Sequence, residues 1–491
     1  MTAKRRVILR ADGNSQIGLG HVVRSLALAA MLREEFECVF AIQAPSEELQ
    51  SQIRQVCEGL IILTRCETTA ERYIHELDAY LSAAEIVVLD GYTFGTSYQQ
   101  SIKSKGAQLV CIDDTHAYKF VADVVVNPAG GVSEVDYLKA SYTKLCAGSS
   151  YALLRHSFLA ASNLPRNLPQ DSLRILLNLG GADPQNLTLT LAKELRAADK
   201  AVPIEVVTGS AYRHQVELQA WLHQQQHVCL HQNLNAEQMC DLMQSCALAV
   251  TSASGVAYEY AAVGGALFVL QTAENQSALY NFLTESGVAR KYQHLYQVLH
   301  PESFPTYFVE QVAVQRRYFD GKSGERLRQV FRSLSLSAAL HLRKAKEEDE
   351  LLLLEWANDP EVRASSFNPE PITPQNHTRW FKAVLEDPQT LLYIAEAKGK
   401  PVAHIRFNVH SGNALISYLI SPAYRGQGLG HIILLKGVEQ LQQHRPDALQ
   451  AEGLVQQHNV ASVRSFEKAG FSYGQPDTLQ PAAHRFVLRL K

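Results

Sequence analysis

The chain has 491 residues, 46% of them hydrophobic and 19% charged, with a formal net charge of −3. That length exceeds one ordinary core and predicts two or three domains, while charges of both signs in near balance give no basic surface for nucleic acid. The eight cysteines form no C-x-x-C pair and predict neither a disulfide framework nor a metal site. No run approaches transmembrane length, and the apolar stretch after the basic first six residues is too short for a signal peptide, so the reading is a cytoplasmic protein with no membrane partner.

From Arg6 to about Phe158, apolar runs alternate with helical stretches. Strands are predicted at Val7–Leu9, Cys38–Ile42, Gly59–Leu63, Ile86–Asp90, Gln108–Asp113 and Val124–Asn127, several ending in Asp or Asn as strands facing a ligand crevice do. The first strand leads through Gly18-Leu19-Gly20 to His21 and a helix over Val22–Leu32. Glycines let a ligand approach the backbone, and amides at a helix N-terminus favour anions. An imidazole there sits beside bound phosphate, placed to act as a general base. The spacing by itself matches neither a dinucleotide fingerprint nor a P-loop.

Residues 163–171 form a Pro/Asn-rich connection, after which a second α/β series begins. Its predicted strands are Arg174–Leu179, Ile204–Thr208, Val228–His231, Ala247–Thr251 and Ala266–Gln271, with helices over Leu187–Ala197 and Ala236–Ser245. Gly180-Gly181 and Asp183 close the first of these strands. The turn Ser254-Gly255 opens a helix bearing Glu259, a carboxylate positioned for ribose hydroxyls, and Asn275-Gln276 follow the next strand. The expected architecture is α/β: two tandem Rossmann-like domains, 1–160 and 172–333, resembling the GT-B plan, followed by an α+β domain over 340–491.

That third unit is expected after a small-residue linker, Leu334-Ser335-Leu336-Ser337. Strands over Leu342–Lys344, Leu391–Ala397, Val402–Val409 and Leu415–Ile420 and a helix over Glu348–Ala357 are predicted. Arg425-Gly426-Gln427-Gly428-Leu429-Gly430 then precedes a helix over His431–Gln443. Consecutive amides in such a loop line a cavity for a diphosphate.

Two resemblances follow. Arg10, Asp12, Gly18, Gly20, His21 and Arg24, the strand end Asp90-Gly91-Tyr92, Ile112-Asp113-Asp114, Gly148–Arg155, Gly180-Gly181 with Asp183 and Asn186, the Ser254–Glu259 turn and Ala273–Gln276 together resemble the UDP-sugar hydrolases of pseudaminic acid biosynthesis, the PseG type, over residues 4 to 330. The resemblance implies hydrolysis of UDP-2,4-diacetamido-2,4,6-trideoxy-β-L-altropyranose to UDP and free sugar. His21 would be the base, Asp12 would orient His21 or the water, and Gly18, Gly20, Arg24, Asp183, Ser254, Gly255, Glu259, Asn275 and Gln276 would hold substrate. The turn departs from the more usual Gly-Gly-Thr/Ser type but keeps Gly255.

Residues 340 to 491 resemble the GNAT acetyltransferases, through Arg425–Gly430, the run Asn459, Ser462, Phe466, Lys468 and Gly470-Phe471, and the upstream pieces Trp356–Asp359 and His377, Trp380-Phe381. This implies acetyl-CoA as co-substrate, with Arg425, Gly426, Gln427, Gly428 and Gly430 at its diphosphate and Asn459 near its pantetheine arm. Phe466 stands where a proton-donating tyrosine is common. Either Tyr473 serves instead, or the thiolate leaves unprotonated, or the domain is slow; Glu396 and His404 are the candidates for a base. Both resemblances point to one pathway, in which a UDP-amino-sugar is acetylated on its 4-amino group and then cleaved. The rival readings are a glycosyltransferase, a nucleotide-sugar-binding module, and acetylation of a protein terminus.

Overall fold

The computed structural model describes residues 4–13, 18–169, 173–181, 183–209, 211–299, 302–477 and 480–490, with the side chain of Asn275 outside the description. The chain divides into two compact units, one of residues 1–139 and 143–328, the other of 140–142 and 329–491.

The first unit holds two parallel sheets. The first sheet is made of β1 (Arg5–Ala11), β2 (Phe36–Gln43), β3 (Gly59–Leu63), β4 (Ile86–Asp90), β5 (Gln108–Ile112), β6 (Val124–Asn127) and β7 (Lys144–Ala147), in the order β3-β2-β1-β4-β5-β6-β7. In β1 the run Val7 to Ala11 is buried without a break, as expected of a strand covered on both faces. Strand β7 escapes the sequence reading because only Cys146 of its four residues is fully buried, so it carries no apolar run. The order reverses between β1 and β4. Their carboxyl ends therefore flank the crevice where doubly wound sheets bind ligands.

The second sheet repeats the plan with β8 (Ile175–Asn178), β9 (Ile204–Thr208), β10 (Val228–Gln232), β11 (Leu248–Ser252), β12 (Ala266–Leu270) and β13 (Arg290–Lys291), ordered β10-β9-β8-β11-β12-β13. Its reversal falls between β8 and β11, whose carboxyl ends carry the Gly180-Gly181 and Ser252–Ser254 turns. The two sheets meet around Tyr258, whose hydroxyl donates to the Pro128 carbonyl at 3.0 Å and accepts from the Gly130 amide at 3.2 Å. Gly130 faces Phe282 so closely that a Cβ there would stand 2.1 Å from the ring, so only glycine fits.

The second unit has one mixed sheet built from β14 (Leu340–Lys344), β15 (Thr390–Ala397), β16 (Lys400–His410), β17 (Asn413–Ile420), β18 (Gln450–Gln456), β19 (Ser472–Tyr473) and β20 (Ala483–Arg489), ordered β14-β15-β16-β17-β18-β20-β19. Strand β16 alternates: Ile405, Phe407 and Val409 are fully buried, while His404, Arg406 and Asn408 on the other face are partly exposed. Strands β17 and β18 run parallel but pair only from Asn413/Gln450 to Ile416/Gly453. Beyond Ile416 and Gly453 they diverge and leave a cleft in the sheet.

One expectation fails. The stretch Leu334–Ser337 is not a linker but part of a helix over Ser323–Ala338. The serines there are tolerated because a helical serine can bond back to a carbonyl of the preceding turn, as Ser337 does to Ser333 at 2.8 Å.

Candidate active sites

In the first sheet, β1 ends at Ala11 and the helix Gly20–Leu32 begins after Gly18 (φ +81°) and Leu19. His21 is thus the second residue of a helix that points its N-terminus at the β1/β4 crevice. Its Nδ1 lies 2.7 Å from Oδ1 of Asp90, the last residue of β4. The Asp90 side chain is fully buried and the imidazole is 14% exposed. Arg24, one turn along the helix, donates to both Asp90 oxygens at 2.6 to 2.9 Å and to Asp114 at 2.8 Å; Ser25 donates to Asp90 at 3.1 Å. Burial pushes the Asp90 carboxyl up, but Arg24 and His21 outweigh it and hold it below the usual carboxylate range. An ionised Asp90 only accepts, so Nδ1 must carry the ring proton and the Arg24 Nη2 atom 3.0 Å from it is a neighbour rather than a donor. In the neutral ring this tautomer puts the lone pair on Nε2. Tyr92 packs edge-on against the ring at 4.7 Å between centroids.

Of the two roles expected for Asp12, orienting His21 or the water, its contacts argue against the first. Asp12 does not touch His21; its carboxylate pairs with buried Arg10 at 2.7 Å and accepts the Gln43 amide at 3.0 Å. Asp90 holds His21 instead. The strand end was visible in the sequence, but nothing local marks a residue 69 positions away as the partner.

In the second sheet Ser254 precedes the helix Gly255–Val263, and its hydroxyl lies 2.9 Å from that of Ser252. Glu259 is gripped by Arg155 through two hydrogen bonds of 2.7 and 2.8 Å. Asp183, at φ +38°, spends its carboxylate on the Leu187 and Thr188 amides, capping the helix Leu187–Ala198. Gln276 accepts from the amide and hydroxyl of Thr272 at 2.8 and 3.1 Å. Asn275 was predicted to reach the sugar; its side chain lies outside the described residues. The structure thus joins His21 to Arg24, whereas Asp183, Ser254, Glu259 and Gln276 make their recorded contacts within the second half or with Arg155.

In the second unit the loop after β17 takes φ +72° at Gly426 and +74° at Gly428, a backbone that other residues enter only with strain. It delivers Gly430 to the start of the helix Gly430–His444. The Arg425 side chain does not face outward freely: it pairs with Asp359 at 2.7 Å and Glu361 at 2.9 Å, so it anchors the loop. Gln427 donates to the Ala423 carbonyl at 3.2 Å. Asn459 caps the helix Val460–Lys468 by accepting the Ser462 amide at 3.1 Å.

Three helices open at these places on a glycine, at Gly20, Gly255 and Gly430. None has a side-chain cap or an acidic residue in its first turn. A helix start without a side-chain cap or an acidic residue favours an anion through its dipole.

Phe466 is buried in a ring cluster with Phe471 and Phe486. Tyr473 is 57% exposed and donates to Glu467 at 3.1 Å. A residue the sequence reading missed is Tyr418, on the diverging part of β17, whose hydroxyl donates to Ser462 at 3.2 Å and whose ring packs on Phe466. Burial pushes its phenol up, so it stays protonated. Of the base candidates, Glu396 is tied to Arg343 at 2.7 Å on the edge of the sheet. His404 has its pKa pushed down to about 3 by burial, with Arg406 and His377 adding to it.

Residues 339–472 match the acetyltransferase (GNAT) domain family. Over 494 aligned residues, covering 95% of this chain and 96% of the relative, the protein is 22% identical to an uncharacterized protein of Methanocaldococcus jannaschii. It is 24% identical to the UDP-2,4-diacetamido-2,4,6-trideoxy-beta-L-altropyranose hydrolase of Campylobacter jejuni over 59% of this chain and 100% of that one. To the spore coat polysaccharide biosynthesis protein SpsG of Bacillus subtilis it is 25% identical over 57% of this chain and 81% of that one. Among the described residues no helix is long and apolar enough to cross a membrane.

Proposed function

We propose that this chain, similar over its N-terminal part to a UDP-sugar hydrolase and to a polysaccharide biosynthesis protein and matching the GNAT acetyltransferase domain family over residues 339–472, performs two consecutive steps on one nucleotide sugar in pseudaminic acid biosynthesis. The observation that carries the hydrolase reading is the His21–Asp90 pair at the switch point of the first sheet. Water attacks the anomeric carbon of UDP-2,4-diacetamido-2,4,6-trideoxy-β-L-altropyranose and gives its proton to Nε2 of His21. The bond from the anomeric carbon to the diphosphate oxygen breaks, and UDP leaves. Asp90 fixes the tautomer and balances the imidazolium that forms. The helix starts at Gly20 and Gly255 favour the diphosphate, with Gly18, Arg24, Asp183, Ser254, Glu259, Asn275 and Gln276 around the substrate as shaping or contact residues.

The second unit transfers an acetyl group from acetyl-CoA to the 4-amino group of the precursor UDP-amino-sugar. Gly426, Gln427, Gly428 and Gly430 hold the acetyl-CoA diphosphate, Arg425 props the loop, and Asn459 lies near the pantetheine arm. The amine nitrogen attacks the thioester carbon, the C–S bond breaks, and the departing thiolate takes the proton of Tyr418, filling the role that Phe466 cannot; the proton released by the nitrogen passes through water and restores the Tyr418 hydroxyl.

The test is UDP release from the diacetamido sugar nucleotide with no acceptor present. The expected result is release by the native chain and none by His21→Ala. A native chain that binds UDP but releases none from this substrate overturns the hydrolase reading.

A further inference from the structure

Several arginines in this fold are paired with carboxylates, while others, such as Arg196 and Arg316, donate to backbone carbonyls. Arg24, Arg155, Arg343, Arg425 and Arg485 each meet a carboxylate within 3 Å. Arg406 does not. It sits mid-strand on β16, half-buried, and among the described residues it makes no hydrogen bond or ion pair; its Nε is buried without a partner there. Its recorded partner is the Trp380 ring, with the guanidinium carbon 5.3 Å from the ring centroid. Such stacking orients the guanidinium plane and leaves its edge of N–H donors for a planar or tetrahedral anion.

Among the described residues no carboxylate forms an ion pair with it. Directly opposite Arg406 are Leu392 on β15 and Ser417 on β17, and opposite His404 are Ile394 and Leu419. His404 and His377 have ring nitrogens with no partner, and burial keeps both rings neutral. Among the described residues, the carboxylate that acts on this cluster is Glu350, which faces His377 and is occupied by the Thr378 hydroxyl. A half-buried cation without a counter-charge costs stability unless a ligand supplies one. Its position is informative as well. Ser417 is the first residue of β17 past the last pairing with β18, so Arg406 stands one strand, ~5 Å, from the mouth of the cleft.

We infer that Arg406, oriented by Trp380, is the anion subsite of the acetyl acceptor and takes a phosphate of its nucleoside diphosphate. This deepens the acetyltransferase reading and rests on it. A phosphate of CoA shares the same chemistry, and the two sources separate kinetically. In Arg406→Met of the full chain, KM for the UDP-amino-sugar should rise about 10–100-fold, as expected for a charge-assisted contact. KM for acetyl-CoA, and turnover of the same amino sugar without its nucleotide, should not change. Arg406→Lys should recover part of the loss, since the charge returns without the fork. An effect confined to acetyl-CoA overturns the assignment in favour of CoA, and no effect on either KM overturns it outright.

UDP binding by calorimetry keeps this separate from the acetyltransferase reading. If the chain acetylates no UDP-amino-sugar but Arg406→Met still loses one UDP site relative to the native chain, the anion subsite stands and that reading falls. An unchanged UDP stoichiometry in a variant that melts normally removes the subsite. The variant should fold, because among the described residues the Arg406 side chain makes no ion pair and its Nε has no hydrogen-bond partner.

Discussion

His21 illustrates how little a single residue says without its partner. Asp90 is fully buried and holds three donors besides the imidazole's, so it is costly to keep and informative to remove. Asp90→Asn keeps the shape but can donate to Nδ1 and favour the wrong tautomer, so kcat for UDP release should fall about 10²–10⁴-fold with KM little changed. Stopped-flow or coupled detection of UDP across pH 5 to 9 reads both. Asp12→Asn, by contrast, disturbs Arg10 and should appear as lost stability with the rate profile's shape retained. In the second unit, Tyr418→Phe should lower kcat of acetyl transfer about 10–100-fold while leaving KM for acetyl-CoA unchanged, the mark of a proton donor acting late. Tyr473→Phe should do neither, since its hydroxyl is spent on Glu467 at the surface.

At the scale of elements, the loop from Arg425 to Gly430 is built on two positive-φ glycines with open space where a Cβ would stand. Gly428→Ala therefore meets no clash and pays only the left-handed backbone cost, ~1–2 kcal/mol. Thermal unfolding of the acetyltransferase unit should drop slightly while KM for acetyl-CoA rises severalfold, because a rearranged loop misaims its amides. Strand β16 shows the other side of the same logic. Its period of two puts Ile405, Phe407 and Val409 in one core and His404 and Arg406 on the opposite face. His404 stays neutral in the folded protein to about pH 3, whereas the unfolded chain takes up a proton near the ordinary histidine pKa. Between those values the unfolded state binds more protons, so stability contributed at neutral pH is lost as pH falls from about 6.5 toward 3. His404→Leu should narrow the gap in Tm between pH 7 and pH 5, measured by circular dichroism. No part of the acetyl-transfer pH profile above pH 5 should follow this residue.

Across the whole molecule, the chain divides into two compact units, and the proposal assigns one step to each. If each does its own step, the defects should separate: His21→Ala should keep native acetyl transfer, and Tyr418→Phe should keep native UDP release. A single incubation with the amino-sugar precursor and acetyl-CoA, followed by chromatography, should show the acetylated nucleotide sugar accumulating only in the His21 variant.

Much of this was legible beforehand. The strand ends Asp90 and Asn127, the helix opening at Ser254-Gly255 and the Arg425–Gly430 loop are local patterns, and local patterns follow from periodicity and backbone sterics that any short segment carries by itself. Strand β7 and the helix over Leu334–Ser337 were not legible, since one lacks an apolar run and the other is rich in serine, and packing against neighbours decides both. The pairings were out of reach for a stronger reason. Asp90 against His21, Arg155 against Glu259 and Arg425 against Asp359 join residues 66 to 104 positions apart. The divergence of β17 from β18 and the isolation of Arg406 are likewise properties of three-dimensional neighbours. The amino-acid sequence by itself determined the elements and which residues stand at their ends. Only the tertiary structure decided which of those ends meet, because strand order and burial bring charges together that no spacing along the chain records.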